Sequence, residues 1–438
     1  MDFAPLAHVF PDTTKVTPHG HLEIGGCNVA DLVAEYGTPL YVLCEDTLRA
    51  RCREFISAFT SLHPETEVHY ASKAYIGPAL AKIMVEEGLG LDVVSGGELA
   101  VARAAGVPPE GIAFHGNNKS AQELSDALDY GIGHIMVDNL TELDLLNKLA
   151  SERGVVQAIL LRVTPGIDPH THAKTTTGLV DSKFGLNISN GQAAEAVRRA
   201  LECTSLELKG LHFHLGSPIF EFEPYVEAIE VVLDFAAQYR EEGFELQEFS
   251  PGGGFAIAYL RDDRPPKPAE YAATIIGALR QGCEQRNLPM PKMSVEPGRS
   301  VVGPAGVAFY TVGSIKDIPG VRTYAAVDGG MGDNIRPALY GAKYEAVVAT
   351  RMNEEASVTY TVAGKFCESG DILVEEALLP PLNVGDIIAM PAAGAYSPSM
   401  ASNYNENPRP PIVLVKDGAS RIIRRRETAE DLMRTDVW

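Results

Sequence analysis

Between residues 68 and 300, short runs of apolar and β-branched residues alternate with longer stretches whose apolar positions recur every three or four residues. The runs 68–72, 91–95, 112–115, 134–137, 159–163, 208–214, 248–250 and 292–295 predict strands, and 78–87, 120–130, 140–152, 193–202, 224–242 and 269–286 predict helices. Eight strands that alternate with helices predict an α/β fold, with parallel βαβ units closed into a (β/α)8 barrel. After residue 300 the helical period disappears. Strand-like runs at 301–312, 323–327, 346–350, 357–362, 386–390 and 412–415 are separated by Gly-, Pro- and Asp-rich turns, which predicts an all-β domain of sandwich or barrel type. Extended runs at 22–24 and 40–43 are expected to join it. The expected domains are therefore an N-terminal segment 1–43 that joins the β domain, a barrel 44–303, and a C-terminal β domain 304–438.

Composition narrows the function classes. The 438 residues are 45% hydrophobic and 22% charged, a soluble globular profile. No apolar run approaches the roughly 18 residues of a membrane helix. The first residues, with Asp2, Pro5 and Pro11, lack the basic-then-apolar layout of a secretory leader, so a cytoplasmic protein is expected. A formal net charge of −21 argues against nucleic acid as a partner, because phosphate-backbone binding needs a basic surface. The run Arg424-Arg425-Arg426 is expected to be a strand end carrying solvated arginines. Cys27, Cys44, Cys52, Cys203 and Cys283 form no metal-like spacing and are expected to be plain buried or half-buried residues.

In a barrel of this kind, reactive residues gather where strands end and the following loops begin. The strand ends carry Lys73, Asp92 with Ser95-Gly96-Gly97-Glu98, His115, Asp138, Arg162, His212 to Ser217, Gly252-Gly253-Gly254-Phe255 and Glu296-Pro297-Gly298-Arg299-Ser300. Loops after strands seven and eight build barrel phosphate sites. Here they are a triple glycine and a Gly-Arg-Ser, whose backbone N–H groups and arginine suit an anion. A lysine among strand-end polar groups is a Schiff-base candidate. Lysine and phosphate site together suggest pyridoxal phosphate, with Glu296 as the carboxylate for its ring nitrogen. His212 and His214 share one face of their strand, which also suits metal ligands. Their place on strand six, with no histidine ending strand five, argues against that, and no metal is expected. His214 is placed to stack on the cofactor ring, and His212 is expected to be a core histidine.

These residues lie in motifs: Tyr70-Ala71-Ser72-Lys73-Ala74, Ser95 to Leu99, Ser182-Lys183-Phe184-Gly185, His212 to Ser217, Gly252 to Phe255 and Glu296 to Ser300. In the β region follow Asp328 to Met331, Arg336 to Tyr340, Cys367-Glu368-Ser369-Gly370-Asp371, Gly394-Ala395-Tyr396 and Ser402-Asn403-Tyr404-Asn405. From about residue 40 to Asp431 the chain resembles the fold-type III pyridoxal-phosphate decarboxylases, and within them the diaminopimelate decarboxylases. The resemblance implies decarboxylation of meso-2,6-diaminopimelate to L-lysine and CO2 through a Schiff base on Lys73, the last step of lysine biosynthesis. It implies that Glu296 holds the ring nitrogen and His214 stacks on the ring. Ser217, Gly252, Gly253, Gly254, Gly298 and Arg299 would hold the phosphate, with Tyr396 closing over it. Cys367 is the implied proton donor. Arg299, Arg336, Tyr340 and Tyr396 would bind substrate, the first three through its distal carboxylate, and Glu368 would take the distal ammonium. A homodimer, with Cys367 and Glu368 reaching into the partner's site, is implied as well. Tyr75 and Pro218 depart from the family's usual Asn and Gln. The alternatives are a related decarboxylase for another diamino acid, or an inactive homologue that binds a partner protein. Retention of Lys73, Glu296, Arg336 and Cys367 argues against the second.

Overall fold

The computed structural model of the chain describes residues 3–168, 176–179 and 181–437. Eight parallel strands, β1 (Thr66–Ala71), β2 (Gly90–Val93), β3 (Ile112–Phe114), β4 (His134–Val137), β5 (Gln157–Thr164), β6 (Leu206–His212), β7 (Glu248–Ser250) and β8 (Lys292–Val295), follow in that order. Each pairs in parallel with the next, and β8 pairs with β1, so the ring closes as the alternation predicts. Helices alternate with the strands, including Pro78–Glu86, Ala121–Tyr130, Leu140–Arg153, Glu223–Gln238 and Pro268–Gln285. Their ends carry local signals. Ser120 and Glu123 form a capping box, Asn139 accepts from Glu142 N–H, and Gly131 and Gly154 end their helices in the left-handed conformation.

Two strands begin and end earlier than the apolar runs suggest. The first starts at Thr66, not 68, and the sixth at Leu206, not 208, because Glu67, Glu207 and Lys209 lie on their solvent-facing sides. At the other end Ser72, Phe213 and His214 leave the ladder and begin the loops. Gly210 allows β6 to approach β7 closely, since a Cβ there would lie 1.7 Å from the Glu248 carbonyl oxygen.

The barrel unit comprises Cys52–Ala256 and Pro265–Gly298, while a second unit gathers the chain up to Arg51, Ile257–Arg264 and the chain from Arg299 onward. Its main sheet runs Ile372–Leu379, Val358–Ala363, Arg322–Val327, Gly306–Ile318, Leu40–Cys44, Ile412–Lys416, Ala419–Arg424. Ile387–Met390 pairs with Gly306–Ile318 and with Val347–Val348. Leu40–Cys44 lies between Gly306–Ile318 and Ile412–Lys416, so the expected N-terminal contribution to the β region is present. Beneath it Leu22, Ile24, Val42, Phe309 and Val413 share one apolar core.

The expected strand at 301–312 is corrected. Arg299–Val302 form a helical turn closed by Gly303 N–H on Arg299 O at 2.8 Å, Pro304 follows, and the strand begins at Gly306. Ile372–Leu379 and Ala419–Arg424 were not expected as strands, because Glu375, Glu376, Arg421 and Arg424 break their apolar runs at the sheet edges. The arginine run is not uniformly solvated either. Arg425 pairs with Asp431, whereas Arg426 donates to the carbonyls of Tyr36 (3.2 Å) and Pro39 (2.9 Å). Among the described residues, no helix is long and apolar enough to cross a membrane.

Candidate active site

One residue beyond β8 lies the buried Glu296 carboxylate, 6% exposed. Its Oε2 accepts from His212 Nε2 at 3.3 Å; its Oε1 accepts the Ser250 hydroxyl at 3.2 Å and lies 3.1 Å from His212 Nε2 and 3.4 Å from His115 Nε2. The His115 and His212 rings meet edge to face at 4.9 Å. Burial alone would raise the Glu296 carboxyl, but His212 and His115 hold it well below the usual range. The same burial pushes the His115 imidazole well down, while Glu296 opposes that shift. Asp92 on β2, with Oδ1 3.7 Å from His115 Nε2, is driven well up by burial and by Glu296. Burial thus disfavours the charge on Asp92, while the neighbours of Glu296 favour one there.

Lys73 leaves β1 in a short turn, Ser72–Ala74, with its side chain exposed. Its ammonium acts electrostatically on Asp92, Glu98 and His214, which places it among the strand-end groups. His214 Nδ1 accepts the Gly253 N–H at 3.2 Å, and burial followed by Lys73 pushes its imidazole well down. The glycine loop has no room for side chains. A Cβ on Gly252 would lie 2.6 Å from Phe213 O, and one on Gly253 2.2 Å from Glu296 O. Buried polar atoms at these strand ends, namely Ser72 Oγ, Asp92 Oδ1, His115 Nε2, Asp138 Oδ1 and His212 Nδ1, have no hydrogen-bond partner within the protein. Lysine, anionic carboxylate, half-buried imidazole, glycine cradle and orphaned polar atoms fit a phosphorylated pyridine aldehyde.

A second polar layer surrounds this floor. Lys119 is buried, with Nζ donating to Glu142 Oε1 (2.7 Å), Gly116 O (2.8 Å) and Met136 O (2.8 Å). Glu142 Oε2 accepts Asp138 N–H at 3.3 Å, and Asp138 Oδ2 accepts Gly185 N–H at 3.0 Å. Arg162 lies 4.5 Å over the Phe184 ring, within the Ser182-to-Gly185 motif.

In the second unit, Arg299 and Arg336 are both buried and flank Tyr259. Arg299 Nη1 donates to the Tyr259 hydroxyl at 2.5 Å, and its guanidinium lies 4.7 Å over the Tyr396 ring. Arg336 donates to Tyr344 and lies 4.6 Å over Tyr259. Burial would raise the Tyr259 phenol, yet Arg299 and Arg336 bring it below its ordinary value. Tyr340 ends the helix Arg336–Tyr340 and is half-buried. Cys367 and Glu368 are exposed. Cys367 N–H donates to Asn405 Oδ1 at 2.9 Å, and its carbonyl accepts from Tyr404 at 3.4 Å. Asp371 pins the same loop by accepting Phe366 N–H at 2.8 Å and Met331 N–H at 2.6 Å.

Residues 45–303 match the pyridoxal-dependent decarboxylase family, pyridoxal binding domain. Over 426 residues the chain is 47% identical to the diaminopimelate decarboxylase of Bacillus subtilis, covering 97% of each chain. The chain belongs to the diaminopimelate decarboxylase family. It is a pyridoxal-phosphate-dependent decarboxylase, and the likeness extends through both units. The crystal structure of the M. jannaschii diaminopimelate decarboxylase in complex with L-lysine superposes with a TM-score of 0.92, at 36% identity and 98% coverage of each chain. The lysine/ornithine decarboxylase of Vibrio vulnificus, complexed with putrescine, is more distant, with 26% identity, a TM-score of 0.76 and 89% of this chain covered against 97% of that one.

Within the barrel unit the structure brings together Lys73, His214, Gly252, Gly253, Gly254 and Glu296, all named from sequence. Ser217 and Gly298 sit in the adjoining loops. In the second unit Arg299, Arg336 and Tyr396 share one cluster, while Cys367 and Glu368 occupy a separate exposed loop. His212 is not merely a core histidine, because it hydrogen-bonds Glu296. With His115 and Glu296 it also forms a set whose potential ligand atoms lie within 4.8 Å of one another, a juxtaposition that strand counting missed. Tyr259, Tyr344, Lys119 and Glu142 were missed as well. The first two lie a few residues beyond the Gly252–Phe255 and Arg336–Tyr340 motifs, outside the residues that carry the resemblance. Lys119 and Glu142 lie 23 positions apart, so only the closed barrel joins them.

Proposed function

We propose that the protein decarboxylates meso-2,6-diaminopimelate to L-lysine and CO2, the last step of lysine biosynthesis. The observation that carries this reading is the 47% identity to a diaminopimelate decarboxylase over 97% of both chains, because it spans the β unit whose polar residues would select the substrate. Bound pyridoxal phosphate supplies the electron sink that stabilises the carbanion left when CO2 departs. Lys73 would be the residue that holds the cofactor through its amine. Glu296 would hold a proton on the ring nitrogen, and His214 would stack on the ring. Ser217, Gly252 to Gly254 and the backbone of Gly298 and Arg299 would hold the phosphate, with Tyr396 closing over it. Cys367 Sγ delivers the proton that replaces the lost carboxylate.

Arg299, Arg336 and Tyr340 receive the distal carboxylate, and Glu368 the distal ammonium. A site built to satisfy such polar groups discriminates strongly against substrates that lack them. The protein works as a homodimer in the cytoplasm, each subunit lending Cys367 and Glu368 to its partner's site; the exposure of both residues supports this arrangement. The test is CO2 release from meso-diaminopimelate, with L-lysine, L-ornithine and D-lysine at equal concentration, alongside light scattering for the dimer. Strong preference for diaminopimelate is expected. Preference for a diamine acid without a distal carboxylate would overturn the substrate assignment while leaving cofactor and fold in place.

A further inference from the structure

Histidines on two barrel strands surround the one carboxylate that the cofactor ring needs, and no reaction step uses them. His212 Nε2 reaches both oxygens of Glu296, at 3.1 Å and 3.3 Å. The Ser250 hydroxyl donates to Oε1 at 3.2 Å and itself accepts Gly252 N–H at 3.3 Å, which ties the carboxylate to the glycine loop. His115 stands between the two carboxyl groups, with Nε2 3.4 Å from Glu296 and 3.7 Å from Asp92. That nitrogen is buried and makes no hydrogen bond of good geometry.

We propose that His115 and His212 are positioning residues that fix the orientation of the Glu296 carboxylate and favour a charge on it over one on Asp92. The inference rests on Glu296 being the partner of the ring nitrogen. Two buried carboxyls that share one imidazole neighbour disfavour each other's ionisation, so the one that receives donors is favoured to hold the charge. His212 and Ser250 supply donors to Glu296, and His115 orients toward both carboxyls. The other charged and titratable groups acting here are His214 on Glu296, and Lys73, Glu98 and Arg162 on Asp92. Without the histidines, the charge would be shared between Asp92 and Glu296, and the ring nitrogen would lose a fixed counter-ion.

The experiment compares wild type with His115→Leu, His115→Asn, His115→Gln and His212→Leu. Cofactor-free protein is titrated with pyridoxal phosphate, and the visible absorbance of each holoenzyme is followed from pH 5 to pH 9. Leu removes the polar edge of the imidazole, Asn keeps polarity but is one atom short, and Gln places a nitrogen where Nε2 was. The expected result is a dissociation constant raised at least tenfold in the Leu and Asn variants. The pH at which the absorbance changes should also move by about one unit or more, with Gln close to wild type. Should Leu fail to fold, Asn against Gln carries the same comparison. Wild-type affinity and pH profile in His115→Asn would overturn the inference. Lys73→Ala distinguishes the underlying assignment: if its cofactor absorbance equals wild type, the cofactor site itself is misplaced. If that absorbance is lost while the histidine variants match wild type, only the positioning role fails.

Discussion

Glu296 and Cys367 are held in opposite ways. The Glu296 side chain is 6% exposed and receives hydrogen bonds from His212 and Ser250, on strands β6 and β7. Cys367 is exposed, and its hydrogen bonds to Asn405 and Tyr404 are made by its backbone. The contrast matches what each group is asked to do. A counter-ion works by not moving, and a rigid, desolvated setting keeps its charge in place at no cost of reorganisation. A proton donor must reach the reacting carbon, release its proton and recover it from solvent. A loop anchored by its backbone leaves the thiol able to do that.

The sharpest way to break the comparison is Cys367→Ala. If Cys367 only decorates a loop, turnover of diaminopimelate will be unchanged. If it is the proton donor, kcat falls by about 10²–10⁴-fold, the usual contribution of a positioned acid, while cofactor absorbance stays at the wild-type level. A partial version is Asn405→Ala, which frees the Cys367 N–H and is expected to lower kcat without altering cofactor affinity.

The barrel's rigidity is tested next. Lys119→Met leaves the buried Glu142 carboxylate without its ammonium partner, a change that costs about 3–5 kcal/mol when one member of a buried pair is removed. Denaturant unfolding of the barrel should show that loss, and Lys119→Met with Glu142→Leu should recover most of it. Equal stability of the single and double variants would mean that Glu142 is already neutral.

The same contrast governs what was legible before the structure. The eight barrel strands were countable because each βαβ unit is local, with capping signals such as Ser120–Glu123 and Asn139 close by in sequence. The strand-end rule then exposed Lys73, His214 and Glu296. The β unit is built from distant pieces, with Leu40–Cys44 lying beside Ile412–Lys416, and its edge strands carry charges that blur an alternating pattern. The Tyr259–Arg299–Arg336–Tyr344 cluster joins segments far apart in the chain, so its tyrosines stayed hidden while its arginines were found through motifs. His115 was visible as a strand end, but its pairing with His212 depends on ring closure, which periodicity does not convey.

That arginine cluster supplies a smaller effect. Arg336→Lys keeps the charge but loses the planar fork that donates to Tyr344 and stacks on Tyr259. One hydrogen bond to a charged group is worth about 1.5–3 kcal/mol, so KM for diaminopimelate should rise roughly tenfold to a hundredfold. A fall in kcat with KM unchanged would instead place Arg336 at the reacting centre.

The smallest expected effect lies behind the Cys367 loop. Glu427 accepts Arg409 N–H at 2.9 Å, Arg409 Nε at 2.7 Å and Asn403 Nδ2 at 2.6 Å, and so anchors the segment that carries Tyr404 and Asn405. Burial opposes ionisation, but Arg409 and Asn403 bring the Glu427 carboxyl down to about 2. A carboxyl depressed in the folded state adds stability that is complete above its ordinary pKa of about 4.3 and is lost as pH falls through the folded value. Glu427→Gln should therefore cost about 1 kcal/mol at pH 7, the upper end for a partly exposed pair, and the gap to wild type should narrow as the pH is taken below about 4. Unfolding midpoints of both proteins at pH 7, 5 and 3.5 measure it directly. A gap that stays constant across that range would show that Glu427 acts by shape and not by charge, and that the Cys367 loop does not depend on this ion pair.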